Sequence, residues 1–193
     1  MSKLIGVAGF ARSGKDTFFE RSRDILEREG KKACRFAFAD ALKHESDEFL
    51  KKNVGISAFT EDSSEKEIIR PFLVTYGTQL RRRLDENCWI KSIQDQVAEK
   101  IDQGFYVFIT DVRFKNEAEW IKLNNGNLTY VSREGVGPAN HDERKQLHLY
   151  KTSIDYNIFW PTFGENEINL ADEYVLPFLS HIISKSSKLE MLL

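Results

Sequence analysis

Residues 4–17 read Leu4-Ile5-Gly6-Val7-Ala8-Gly9-Phe10-Ala11-Arg12-Ser13-Gly14-Lys15-Asp16-Thr17. A short apolar run stops at glycine, and six residues from Gly9 to Gly14 lead into Lys15. The apolar run predicts a buried parallel strand, and the periodic residues after Lys15 predict a helix. The pattern between them is G-x-x-x-x-G-K, in the strand-before, helix-after context that a phosphate-binding loop requires. Gly9 and Gly14 permit tight backbone geometry, so that successive N–H groups turn inward onto phosphate oxygens. The helix N-terminus adds partial positive charge. Lys15 is placed to reach the β- and γ-phosphates of a nucleoside triphosphate. Asp16 stands where Ser or Thr usually ligates Mg²⁺, and Thr17 follows one place later. A carboxylate beside a triphosphate requires a cation between them, so Asp16 is a candidate metal ligand, directly or through water.

Working outward, residues 15–29 predict a helix with Phe18, Phe19, Ile25 and Leu26 inside, stopped by Gly30. Arg35 to Ala39 predicts a second strand. Asp40 is a candidate cap for a helix running to about Lys52. Residues 64–85 are helical in pattern, with interruptions expected at Pro71 and Gly77, and Thr78 as a cap for the arginine-bearing helix. A further helix starts near Trp89. Phe105 to Thr110 is apolar on both faces, the mark of a central strand in a covered parallel sheet. A helix over 115–124, strands at Leu128–Ser132 and Ile154–Phe159, and a helical tail from Ile168, started or kinked by Pro177, complete the order. Strands alternating with helices give an α/β class, a three-layer α/β/α fold with a parallel sheet.

Composition narrows function. The chain has 193 residues, 41% hydrophobic and 30% charged, enough for one domain with small insertions. With 28 Lys+Arg against 30 Asp+Glu the formal charge is -2, which disfavours a coating role on nucleic acid. Cys34 and Cys88 lie far apart, and with 4 His they form no zinc spacing. Both are expected as free thiols in a reducing compartment. No apolar run is long enough for a membrane helix, and the N-terminus reads as a strand rather than a signal peptide. The expected location is cytoplasm, or host cytoplasm for a viral protein.

Four segments resemble the phage-type deoxynucleoside monophosphate kinases, within the P-loop nucleoside monophosphate kinases. They are Ser13-Gly14-Lys15-Asp16-Thr17, Phe38-Ala39-Asp40-Ala41-Leu42-Lys43, Gly77-Thr78-Gln79-Leu80-Arg81-Arg82 with Leu84-Asp85 and Trp89, and Asp111-Val112-Arg113-Phe114-Lys115-Asn116-Glu117-Ala118-Glu119. The resemblance spans residues 5 to about 133. The Gly-Lys-Asp variant is shared with animal-type phosphomevalonate kinase. The family's His-x-Ser-Glu segment has only His141-Asp142-Glu143-Arg144 as a counterpart. The resemblance implies one P-loop kinase domain over 1–193, with an acceptor-binding insertion at about 40–88 and a lid at about 133–150. It implies ATP and Mg²⁺, a small nucleotide acceptor, no stable nucleic-acid or membrane partner, and leaves a homodimer open.

On that reading Gly9, Arg12, Ser13, Gly14, Lys15, Asp16 and Thr17 bind ATP, with Arg133 and Arg144 from the lid. Asp40, Lys43, Arg70, Gly77, Thr78, Arg82, Trp89, Arg113, Asn116 and Glu117 line the acceptor pocket. Lys15, Asp16, Arg82, Asp111 and Arg113 carry catalysis, with Asp16 and Asp111 toward the metal.

Each residue also has a plainer reading. Asp111 lies at the C-terminal end of a buried strand, where ligands bind in open α/β sheets. Arg113 suits a bidentate phosphate contact, or the two only close a loop. Asn116 and Glu117 are equally a helix start. Arg82 belongs to a basic face, Trp89 to a core, and Asp40 and Lys43 to a cap and a surface. Three rival functions remain. They are a kinase of another phosphorylated metabolite such as phosphomevalonate, an ATP-binding regulatory module without turnover, and a nucleic-acid-end kinase relying on Arg81 to Arg83.

Overall fold

The computed structural model describes residues 3–138, 141–164 and 166–190; residues 139 and 140, inside the expected lid, lie outside the described residues. Five strands form one parallel sheet: β1 (Leu4–Ala8), β2 (Ala33–Phe36), β3 (Tyr106–Val112), β4 (Asn127–Arg133) and β5 (Tyr156–Trp160), in the order β2-β3-β1-β4-β5. Ile5 stands opposite Phe108 on one side and Asn127 on the other, so β1 is central. Its five residues are all buried, which only a strand covered on both faces can sustain.

The strand's alternation sorts the layers. Ile5 and Val7 share a core with Phe18, Phe19, Ile25 and Leu26 of α1 (Lys15–Arg28) and with Val175, Phe178, Leu179 and Ile182 of α8 (Asp172–Glu190). Gly6 turns to the opposite face, where a Cβ would meet Ile121 of α6 (Lys115–Leu123) at 3.0 Å. Helices thus lie on both faces, and the α/β/α layering expected from the sequence is present.

The chain divides into two compact units. One comprises 1–36 and 96–193 and holds the sheet; the other is Ala37–Asp95. The second unit contains α2 (Phe38–Val54), α3 (Ser63–Val74), a π-helical segment (Thr75–Arg81), a short α4 (Arg82–Leu84) and the first part of α5 (Cys88–Asp102). Leu50, Ala58 and Ile69 are its buried centre. The remaining helix, α7 (His141–Tyr150), follows β4 in the first unit.

Several expected boundaries are corrected. β2 begins at Ala33 and ends at Phe36, so Phe38 and Ala39 already belong to α2. Asp40 is therefore not the cap: Ala37 holds that place, and Asp40 sits in the first turn. Pro71 does not interrupt α3, whereas the α-helical winding does change around Gly77, which lies in the π segment that follows α3 directly. Thr78 lies inside that segment and caps nothing. α8 starts at Asp172, ahead of Pro177, so the proline does not begin it.

Candidate active site

Because every strand is parallel, the C-terminal ends of β1, β3, β4 and β5 share one edge of the sheet, and the residues following them meet there. β1 opens into the loop Gly9–Gly14. Gly9 has φ +152°, and a Cβ on it would stand 2.2 Å from the Val131 carbonyl oxygen of β4. Gly14 takes the left-handed conformation, φ 90°, as the N-cap of α1, with no side chain bonded to the helix end. The first-turn N–H groups of α1 have no intrahelical acceptors by construction, which leaves donors at the loop. Arg12 also lies at positive φ, 63°, and its side chain is exposed. Ser13 is 1% exposed, and its Oγ has no hydrogen-bond partner among the described residues.

Lys15 folds back across the loop. Its Nζ donates to the Gly9 carbonyl at 2.9 Å and the Phe10 carbonyl at 2.8 Å. Burial pushes its ammonium below the usual lysine range, and the Arg113 charge adds to that; Asp16, Glu143 and Asp111 pull the other way. Lys15 thus lies within the electrostatic reach of four charged residues, from the first turn of α1, β3 and its following turn, and α7. Asp16 projects to solvent, 82% exposed, 3.9 Å from Arg35, a pair that solvent screens. Asp111 is half-buried at the end of β3. Arg113, exposed, follows β3, and Arg133 ends β4, half-buried.

Glu117 takes the helix-start role. It is 1% exposed, and its carboxylate accepts the backbone N–H of Arg113 at 2.7 Å and of Phe114 at 3.0 Å. It thereby holds the β3–α6 turn that carries Arg113. Asn116 is half-buried in the first turn of α6.

Two residues of this edge were given no role in the sequence reading. Glu143 of α7 accepts the Ala11 N–H at 3.0 Å, so a carboxylate rests on the phosphate loop itself. Burial and the Glu143 charge push the Tyr130 hydroxyl up to about 12. Trp160, closing β5, donates its indole N–H to the Ser13 carbonyl at 2.9 Å. Arg144, next to Glu143, is exposed. No local pattern announces either contact: the paired residues stand 132 and 147 positions apart.

In the second unit, Asp40 is half-buried, and Lys43 lies over the Phe59 ring at 5.5 Å. Arg70 and Thr78 are exposed. Gly77 is buried against Leu42, and its carbonyl accepts the Trp89 indole N–H at 3.2 Å. Trp89 is 3% exposed with the Arg81 guanidinium over its ring, which is the core reading of that residue. Arg81 pairs with Glu45, while Arg82 donates to the Glu86 carbonyl at 3.2 Å. Arg81 and Arg82 thus diverge, as their helical placement predicts.

No grouping of three or more His, Cys, Asp or Glu side chains suited to a metal occurs among the described residues. Mg²⁺ in phosphoryl-transfer sites is commonly held by one or two carboxylates together with substrate phosphates and water. Asp16 and Asp111 beside Lys15 fit that donor set. Among the described residues, no helix is long and apolar enough to cross a membrane.

No family model matches the chain. It is 36% identical over 92 residues to the uncharacterized protein ORF77 of Ictalurid herpesvirus 1 (strain Auburn), covering 47% of this chain and 39% of that protein. It is 24% identical over 126 residues to phosphomevalonate kinase of Drosophila melanogaster, covering 65% of this chain and 63% of that one. Both matches thus span less than two thirds of the relative's length. Among solved structures, shikimate kinase of Aquifex aeolicus aligns over 95% of this chain and 98% of its own at 15% identity and TM-score 0.48. Shikimate kinase of Acinetobacter baumannii aligns over 94% and 93% at 11% identity and TM-score 0.44. These likenesses are loose, and the fold stands on the strand order and loop geometry described above.

Proposed function

We propose that the chain is a P-loop kinase that transfers the γ-phosphoryl group of ATP to a small phosphorylated acceptor, a deoxynucleoside 5'-monophosphate. The observation that carries the kinase reading is Lys15 folded across the glycine loop onto the Gly9 and Phe10 carbonyls, with the charges of Asp16, Asp111 and Arg113 acting on it. The loop fits a polyphosphate: Gly14 opens α1 without a side-chain cap, and Ser13 Oγ is a buried donor without a partner among the described residues.

In the transfer, an acceptor phosphate oxygen attacks the γ-phosphorus, the bond to the β–γ bridging oxygen breaks, and ADP leaves. The acceptor oxygen is already anionic near neutral pH, so no strong base is needed. Rate then comes from positioning and neutralising charge. Loop N–H groups hold the phosphates. Lys15 exchanges two carbonyl partners for phosphate oxygens, which favours its charged form. Arg113, held by Glu117 through its backbone, neutralises the transferring group. Mg²⁺, through Asp16 and Asp111, would supply further neutralisation of the phosphate charge. Arg12, Thr17, Arg133 and Arg144 are assigned to ATP, and Asp40, Lys43, Arg70, Gly77, Thr78, Arg82 and Asn116 to the acceptor.

The deoxynucleotide acceptor rests on the four-segment resemblance. The match to phosphomevalonate kinase favours a second reading, in which the same loop serves a phosphorylated metabolite of that kind. A coupled ADP-release assay over all dNMPs, the NMPs and phosphomevalonate, with and without Mg²⁺, separates the two. Rapid turnover with a dNMP supports the first. Turnover with phosphomevalonate alone replaces it, and acceptor-independent silence with ATP-induced stabilisation points to the non-catalytic module. Lys15→Ala is expected to lower the rate at least about a hundredfold, the scale of losing one transition-state donor.

A further inference from the structure

The last residue of β5 is coupled to the phosphate loop in a way that the kinase reading does not use. Trp160 is 1% exposed. The ring centroids of Phe18 and Phe163 lie 6.4 Å and 5.9 Å from that of the indole, which packs between them. Its N–H donates to the Ser13 carbonyl at 2.9 Å. Its six-membered ring lies directly under Gly14, where an added Cβ would come within 2.7 Å of Cζ2.

A trans peptide points its C=O and N–H in opposite directions, and no cis bond occurs among the described residues. The Ser13 carbonyl is drawn down to the indole, toward the core. The Gly14 N–H in the same peptide must then point outward, to the concave side of the loop. Nothing in Gly14 itself enforces this. Flipping the Ser13–Gly14 peptide would carry the Gly14 φ from 90° to a negative value, and glycine accepts either sign at similar cost because it lacks the Cβ that would choose. The hydrogen bond from β5 favours the observed orientation.

We propose that Trp160 is a positioning residue for phosphate binding: its indole N–H locks the Ser13–Gly14 peptide in the orientation that presents the Gly14 N–H to a nucleotide's polyphosphate. The inference rests on the phosphate-loop reading of residues 9–17. It deepens that reading by assigning the loop's preorganisation to a residue 147 positions away. It also accounts for the glycine at 14 on two grounds at once, backbone conformation and the indole beneath it.

Trp160→Phe keeps an aromatic ring in the core and removes the N–H; Phe178→Leu, in the same core but on α8, is the packing control. Binding of ADP and of inorganic pyrophosphate is measured by calorimetry, beside kcat and KM and thermal unfolding. W160F is expected to weaken both ligands about fivefold, the scale of one net hydrogen bond. KM for ATP rises with it, and KM for the acceptor stays unchanged. F178L lowers the melting temperature without moving either affinity. In the wild-type protein the indole N–H resonance missing from W160F should shift on adding pyrophosphate. If W160F binds ADP and pyrophosphate like wild type, or if both variants lose affinity only in proportion to stability, the proposal is overturned while the loop reading survives. If the wild-type protein binds neither ligand, both fall.

Discussion

At the residue scale, the site divides by how far each contact reaches along the chain. Lys15, Asp16, Asp111 and Arg113 were singled out as candidates in the sequence because they stand at or after the ends of β1 and β3, and strand ends are where an α/β sheet exposes functional groups. Glu143 and Trp160 were not, because nothing in their own neighbourhoods marks a partner more than a hundred residues away. Glu143 leads to a prediction. Its carboxylate accepts the Ala11 N–H and stands close enough to Lys15 to favour that residue's charge. A bound phosphate therefore meets a fixed negative charge as well as losing a donor. Glu143→Gln keeps an acceptor for Ala11 and removes the charge. Pyrophosphate should bind roughly threefold tighter at low ionic strength, with the gain shrinking at about 0.5 M salt as screening shortens the interaction. A variant that melts earlier yet binds pyrophosphate as wild type does would mean that Glu143 only anchors α7.

At the element scale, periodicity located the strands and helices but misplaced junctions where two signals overlap. Phe36 and Phe38 alternate like strand residues, yet Phe38 begins α2 and is buried there. Gly77 marked an interruption within Thr75–Arg81, but no residue pattern there separates π from α winding, so its form was not legible. α8 shows what does secure an element against the sheet. Its first residue, Asp172, accepts from Arg21 Nε at 2.6 Å and Nη2 at 2.8 Å on α1, and from Arg28 at 3.2 Å. The Arg21 hydrogen bonds, then those of Arg28, hold its carboxyl below the usual carboxylate range. A carboxyl depressed in the folded state stabilises above its unfolded value, near 3.9. That contribution is lost as pH falls through the lower folded value. Asp172→Asn should cost about 1–2 kcal/mol at neutral pH. The gap between the variant and wild-type unfolding curves should close as acid protonates Asp172. A gap that stays constant from neutral to strongly acidic pH would show the loss to be packing rather than charge.

At the scale of the molecule, the sequence signalled one kinase domain with an insertion near 40–88, and the chain forms two compact units with residues 37–95 set between β2 and the latter part of α5. A unit with its own buried centre can respond to a ligand as a unit. The kinase reading assigns the polyphosphate to the sheet-bearing unit and the acceptor, Asn116 apart, to the inserted one, a division that amide hydrogen exchange can test peptide by peptide. ADP at about a hundred times its Kd should stabilise what it binds by about 2.7 kcal/mol. Exchange should slow over residues 9–17 and the β3–α6 turn. A dNMP alone should slow exchange within residues 37–95, around Asp40, Arg70 and Arg82, and leave residues 9–17 unchanged. Protection of 37–95 by phosphomevalonate and by no dNMP would transfer the function to the second reading with the loop assignment intact. Protection of 9–17 by ADP with no acceptor altering 37–95 would instead detach the inserted unit from catalysis. The near-neutral formal charge of -2 bears on the same experiment. With little net attraction between the chain and anions, the protection that each ligand gives should follow local side chains, and an oligonucleotide should protect neither unit at physiological salt.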